Sequence, residues 1–398
     1  MPFHDCRDHS SKASWGKRLS RKILNKALCQ VSVLPKARHI RSGTVLLRRR
    51  VYMPPEPFSK KETSPEGGDA VSSISAIAYG FMGSQALFAA LELGLFTTLS
   101  DEPGGLDALA VKLHAPVGPL GVLLSTCLVL RLLTWDGERY ANSPAAQRFL
   151  VQTSRSYVGD YYLRQISPIV YPRLPLVRSL LRGDLTEQLD YTTTLADPKT
   201  TEEFVRGQHA GSLGPATLLA RSHDFSGCSR LLDLGGGSGA FAIEAIKRYP
   251  GLSAVVLDLP QVVAVTEKII QETGLTSRIT CTGGDLRIDP WPPGADLILL
   301  SYIVSCYEQE TLQALLARTQ AYLPSGGRLL IHDFALYADR SGPHNAALFL
   351  FSELAASAQT HAYTVDELGA AMQEAGYVDV TMQPFLPDLT FLVSGRKP

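Results

Sequence analysis

The chain has 398 residues, 45% hydrophobic and 19% charged, which is enough for two domains with cores of their own and too apolar for a disordered chain. Its 38 basic and 38 acidic side chains cancel, but residues 1–50 hold thirteen Lys or Arg against Asp5 and Asp8, a net +11 that leaves −11 for the remainder. A mildly acidic body argues against a nucleic-acid partner, and no uninterrupted apolar run reaches about 18 residues, so no transmembrane helix is expected.

The six cysteines stand at no metal-ligand or redox spacing, which points to a reducing compartment and to no metal site. Residues 1–69 read as a basic leader and linker. Leu19, Ile23, Leu24 and Leu28 can form one helical stripe among Lys17, Arg18, Arg21, Lys22 and Lys26, the composition of an organelle transit peptide. A mitochondrial or plastid address follows if it is one. The alternative is a basic tail on a cytoplasmic protein. The Pro- and charge-rich stretch Met53–Asp69 is a linker.

Residues 70–188 are predicted mainly helical. Ala70–Ser100 reads as an apolar helix pair. A short helix, a turn, the apolar helix Val117–Leu133 and a β-wing around Asp136–Gly137 follow, a winged-helix arrangement. Winged helices often bind DNA, but Arg131 is the sole charge on Val117–Leu133, so burial in a dimer interface suits that helix better than phosphates do.

Residues 189–398 alternate strand and helix. Arg230–Leu234, Ala254–Leu257, Ile279–Cys281, Leu297–Tyr302 and Arg328–Ile331 are predicted strands, with helices at Ala240–Tyr249, Gln261–Thr273, Glu308–Tyr322 and Thr364–Glu374. Tyr377–Met382 and Thr390–Ser394 form a terminal strand pair. Repeated βα units imply a doubly wound, Rossmann-like parallel sheet covered on both faces.

The most informative stretch is LLDLGGGSGA, residues 231–240. Glycines there let the backbone turn sharply and approach a ligand beyond the carboxyl ends of the strands. Gly235-x-Gly237-x-x-Ala240 alone also fits a nicotinamide dinucleotide. Acids at neighbouring strand ends narrow the choice. Asp258 can accept both ribose hydroxyls, Asp285 of Gly283-Gly284-Asp285 can accept from an adenine amino group, and Asp233 can meet the ammonium of a methionine moiety. Together they suit S-adenosylmethionine better than a pyrophosphate. Each acid alone could merely cap a helix or loop.

These motifs, with PSGGRLLIHDF at 324–334, resemble the class I methyltransferases of the caffeate and hydroxyindole O-methyltransferase type over residues 72–398. The resemblance implies a homodimer through an N-terminal helical dimerisation domain, a small-molecule acceptor, and cofactor contacts from Gly235, Asp258, Asp285 and Leu286. With the reading of the loop and strand ends, the expected S-adenosylmethionine contacts are Asp233, Gly235, Gly237, Asp258, Leu259, Asp285, Leu286 and Ser301. The family's general-base histidine follows the fourth strand. Here that segment reads Ile303-Val304-Ser305-Cys306-Tyr307, with Ser305 where the histidine would be.

Serine is a poor base at neutral pH. Either another residue serves, or the nucleophile carries no proton, as with a thioether sulfur. For that case positioning and aromatic faces suffice, and Tyr161, Tyr162, Tyr171, Tyr302 and Tyr307 are candidate walls. Arg164 and Arg173 could clamp a carboxylate. Gln208 takes the place of a family methionine near the reacting methyl, and His209 and His332 are substitute bases. DYYLRQISPIVYPR, HDFALYADRSGP and PDLTFLVSGRKP are similar to the methylthiohydroxybutyrate S-methyltransferases of dimethylsulfoniopropionate synthesis. The sequence therefore favours S-methylation of a carboxylated thioether, with catalytic contacts from His209, Gln208 and Tyr302 and substrate contacts from Tyr161, Tyr162, Arg164, Arg173 and Ser305. The alternatives are an O-methyltransferase that uses His209 or His332, and an inactive methyltransferase-fold dimer.

Overall fold

The computed structural model describes residues 68–185 and 190–398. The basic leader therefore lies, but for its last two residues, outside the described residues.

The chain opens with α1 (Gly68–Glu92), α2 (Leu95–Asp101), α3 (Leu106–Lys112) and α4 (Val117–Val129). Gly94 separates α1 from α2 in the left-handed conformation (φ 68°) that glycine adopts without penalty. A two-stranded wing, β1 (Leu133–Trp135) and β2 (Tyr140–Asn142), follows with antiparallel register Thr134 to Ala141. Its turn is tied by Asp136 Oδ1, which accepts from the Glu138 and Arg139 amides at 2.9 and 2.7 Å. Arg131, expected inside the preceding helix, lies beyond its end at φ 58°. Beyond the wing come α5 (Pro144–Phe149) and α6 (Leu176–Arg182). Leu91, Leu95, Phe96, Leu120, Leu124 and Cys127 make the core of this part.

The other face is bare. Ile74, Ile77 and Met82 of α1 and Val122 and Val129 of α4 are exposed, Ile77 and Val129 each at 82%. Over Val71–Glu92 the chain is also long and apolar enough to cross a membrane, which the run-length reading did not anticipate because polar Ser and Gly interrupt it.

The larger part holds a seven-stranded sheet of order β5-β4-β3-β6-β7-β9-β8. Its strands are β3 (Arg230–Leu234), β4 (Ser253–Asp258), β5 (Ile279–Gly283), β6 (Leu297–Ser301), β7 (Arg328–Phe334), β8 (Val378–Leu386) and β9 (Thr390–Arg396). β9 runs antiparallel between β7 and β8, and the other neighbouring pairs are parallel. Successive residues of a strand face opposite layers. Leu231 accordingly joins the core under α7 (Pro198–Ser222), α8 (Ala240–Arg248) and α9 (Pro260–Thr273), while Leu232 joins the one under α10 (Gln309–Tyr322) and α12 (Val365–Glu374). The doubly wound expectation holds. The helix α11 (His344–Glu353), which fills the gap between β7 and α12, was not among the helices predicted from sequence. The parallel order reverses at β3, so the crevice for a ligand opens above β3 and β4 on one side and β6 on the other.

Candidate active site

Two cavities meet above the carboxyl edge of this sheet. The first is a cleft of about 140 Å³ lined by Gly235, Gly237, Asp258, Leu259, Asp285, Leu286 and Ser301, with Tyr302, Tyr307 and Cys306 opposite. The loop after β3 makes its floor. Gly235 and Gly237 sit at φ 66° and 55°, and a Cβ on them would collide with Ile303 Cδ1 and Gln208 Oε1 respectively. Only glycine satisfies both demands.

Asp258 is the strut of the loop. Its Oδ2 accepts from the Gly237 amide at 2.7 Å and its Oδ1 from the Leu259 amide at 2.7 Å. Burial still raises its carboxyl to about 6, because the two amides only partly offset desolvation. Asp285 differs. Arg287 donates to it from its amide and guanidinium at 2.7 to 3.1 Å and holds the carboxyl below its ordinary range.

Asp233 corrects the sequence reading. It is fully buried beneath the loop and off the cleft wall, since a Cβ on Gly236 would lie 2.7 Å from its carboxyl carbon. The loop backbone therefore separates it from any ammonium in the cleft. Apart from a loose contact with the Ala242 backbone, its oxygens meet no hydrogen-bond partner, and burial with the nearby Asp258 charge raises the carboxyl to about 7.

The second cavity, about 430 Å³, is lined by Tyr161, Tyr162, Gln165, Phe334, Asn345, Phe349, Glu353 and Leu386, among others. Tyr191, Phe204, Gln208 and Tyr302 line both cavities and form the seam between them. Gln208 Oε1 is buried at that seam with no hydrogen-bond partner. Tyr302 stands at φ 58°, its ring against His332 and Phe334 at 4.6 and 4.9 Å. The rings of Tyr161 and Tyr162 pack at a tilt of 53° with centroids 5.6 Å apart, and burial raises both phenols.

Several predicted residues lie elsewhere. Arg164 is paired with Glu203 at 2.7 Å and Asp160 at 3.7 Å, Arg173 donates through Nε to the Ala355 carbonyl at 3.0 Å, and neither lines the second cavity. Ser305 is 1% exposed and donates inward to Asp333 Oδ1 at 2.7 Å, away from both cavities. His209 bonds Ser238 Oγ at 3.1 Å behind the glycine loop, and burial lowers its basicity. His332, fully buried between Ser301 at 2.9 Å and Thr390 at 2.9 Å, is pushed down to about 3. Tyr171 packs on Phe88 at 6.3 Å. Among the described residues, no histidine lines either cavity.

The sequence reading missed Glu353. Its carboxyl accepts from the Tyr191 hydroxyl at 2.6 Å and faces the Cys306 thiol at 3.9 Å. An acid within the otherwise apolar AALFLFSELAAS, residues 346–357, was the available signal.

A family model for the O-methyltransferase domain matches residues 186–378, and one for the O-methyltransferase dimerisation domain matches residues 75–152. The chain is 32% identical to 3-hydroxy-5-methyl-1-naphthoate 3-O-methyltransferase of Streptomyces sahachiroi, over 81% of this chain and 94% of that protein. It is 30% identical to the N,N-dimethyltransferase OxyT of Streptomyces rimosus, over 77% and 90%. Human N-acetylserotonin methyltransferase in complex with S-adenosylmethionine superposes with a TM-score of 0.72 at 25% identity, covering 84% of this chain and 99% of that one. The cleft fits that cofactor. A floor without side chains admits close approach of a nucleoside, and Asp258, already fixed by two amides, keeps lone pairs for hydroxyls. Such a cofactor supplies a methyl group on a sulfonium. The chain belongs to the S-adenosylmethionine-dependent O-methyltransferase family that carries an N-terminal dimerisation domain, and it is a methyltransferase.

Proposed function

We propose that the acceptor is a small, largely aromatic or apolar molecule methylated on a hydroxyl oxygen. The observation that carries this is the second cavity, walled by Tyr161, Tyr162, Phe204, Phe334 and Phe349, with one carboxyl, Glu353, and no cationic side chain among its described lining residues. Such walls suit a ring, and the carboxyl suits a group that donates a hydrogen bond. Tyr302 and Gln208 orient the acceptor at the seam.

S-methylation of a carboxylated thioether is the second reading. The absence of an imidazole from both linings favours it, since a thioether has no proton to lose. The engagement of Arg164 and Arg173 elsewhere leaves its carboxylate without the clamp expected from sequence.

We further propose that the exposed apolar faces of α1 and α4 are covered by a second copy of the chain, in keeping with the dimerisation-domain match.

Purified protein with methyl-labelled S-adenosylmethionine would be offered N-acetylserotonin, 1-naphthol and 4-methylthio-2-hydroxybutyrate. Label is expected on the hydroxyl acceptors. Label on the thioether alone would exchange the first reading for the second.

A further inference from the structure

Glu353 is an acid that no sequence motif explains and that the cofactor does not need. It ends α11 at the wall of the acceptor cavity, yet its two near neighbours belong to the other side of the seam. Tyr191, which lines both cavities, donates its hydroxyl to Glu353 Oε2 at 2.6 Å. Cys306, which lines the cofactor cleft, brings its thiol to the same oxygen at 3.9 Å. These contacts fix the carboxyl at the junction where methyl donor and acceptor must meet, and among the described residues no hydrogen bond engages Oε1.

We propose that Glu353 is the general base of methyl transfer, standing in for the imidazole absent from the described linings of both cavities. The proposal rests on the hydroxyl reading above. As the acceptor oxygen bonds to the methyl carbon, the carbon–sulfur bond breaks and its electron pair stays on sulfur, which becomes a neutral thioether. The O–H proton passes to the Glu353 carboxylate and leaves to solvent after turnover, so charge and atoms balance. Positioned carboxylates serve this role when their basicity is raised toward the working pH.

The surroundings tune the group in that direction. Desolvation and the buried Asp333 raise the Glu353 carboxyl, while the Tyr191 and Cys306 contacts partly lower it. Asp333 comes from β7 and is itself raised to about 6 by burial. Tyr161 faces Glu353 from the preceding helical run with its phenol held neutral. Arg173 lines a small neighbouring cavity with Glu353, its Nε committed to the Ala355 carbonyl. Tyr191 is then a positioning residue: its hydroxyl fixes the carboxyl and stabilises its ionised form.

The test uses the whole chain and the variants E353Q and Y191F, each checked by thermal melting; E353Q, which lies outside the cofactor cleft, should also match wild type in calorimetric affinity for S-adenosylmethionine. With N-acetylserotonin, E353Q should lose about 100- to 10,000-fold in kcat, the range a general base supplies. The wild-type rate should rise with pH through a limb above the usual carboxylate range. That limb should vanish in E353Q and move to higher pH in Y191F. With 4-nitrophenol at a pH above about 8, where that phenol is largely ionised and needs no base, E353Q should approach the wild-type rate. Independently of turnover, infrared difference spectra of the protein without cofactor should show a protonated carboxyl band that titrates with the same midpoint and is missing in E353Q. Wild-type activity on hydroxyl acceptors that E353Q retains across the pH range would overturn the base assignment alone. A wild type inactive on every hydroxyl probe would remove the reading beneath it as well.

Discussion

Asp233 offers a quantitative test of how the glycine loop is built. The side chain is fully buried, its oxygens lack hydrogen-bond partners of ordinary geometry, and its carboxyl is raised from 3.8 to about 7. Below pH 4 the group is neutral in both folded and unfolded chains. Between pH 4 and 7 the unfolded chain gives up a proton that the folded chain keeps, so stability falls as pH rises and levels off above pH 7. A shift of about three units corresponds to about 4 kcal/mol at 1.36 kcal/mol per unit. Asp233→Asn has nearly the same shape and cannot ionise. Its buried amide lacks partners too, at a cost of about 1–3 kcal/mol that does not depend on pH. Urea unfolding without cofactor, at pH 5 and pH 8, separates the two terms. The variant is expected to gain about 2–4 kcal/mol on wild type between those pH values. Parallel stability curves would mean that Asp233 is ionised or solvated in the folded chain, and the picture of a neutral carboxyl under the loop would be wrong.

Gly237→Ala places a methyl against Gln208 Oε1 at a φ of 55°, so calorimetric affinity for S-adenosylmethionine should fall about five- to thirtyfold, the equivalent of about 1–2 kcal/mol of strain in the loop. His209→Asn should keep kcat within about fivefold, because the imidazole bonds Ser238 behind the loop; a loss typical of a missing general base, about 100-fold or more, would return it to the chemistry. Ile77→Glu on α1, at a residue 82% exposed, should shift sedimentation from dimer to monomer at micromolar concentration, and an unchanged dimer would place the interface elsewhere.

The βα framework was legible because each strand is a short apolar run bounded by glycine, proline or an acid, and LLDLGGG tells both where a strand stops and what may approach it. Side-chain direction was not legible. His332 and Asp333 end a strand just as Asp258 does, yet they point into packed layers and bond Ser301, Thr390 and Ser305. Arg164 reads as a spare cation because its partner Glu203 is 39 residues away in sequence. The acceptor cavity resisted most, since its walls come from separate segments around residues 158–165, 191, 204–215, 345–353 and 386–389. Only their packing shows that Tyr191 donates a hydrogen bond to Glu353.

The division into two chambers with four shared residues has an evolutionary consequence. The donor chamber is built from the ends of β3, β4, β5 and β6, where the glycine loop and Asp258 leave little freedom to vary. The other chamber is assembled from helical surfaces, the ends of β7 and β8 and the turn after β8, which carry none of that burden. Mutations can therefore recut the acceptor side while the donor stays seated, and a lineage can try new acceptors without first losing its source of methyl groups. Tyr191, Phe204, Gln208 and Tyr302 answer to both chambers at once and should drift most slowly.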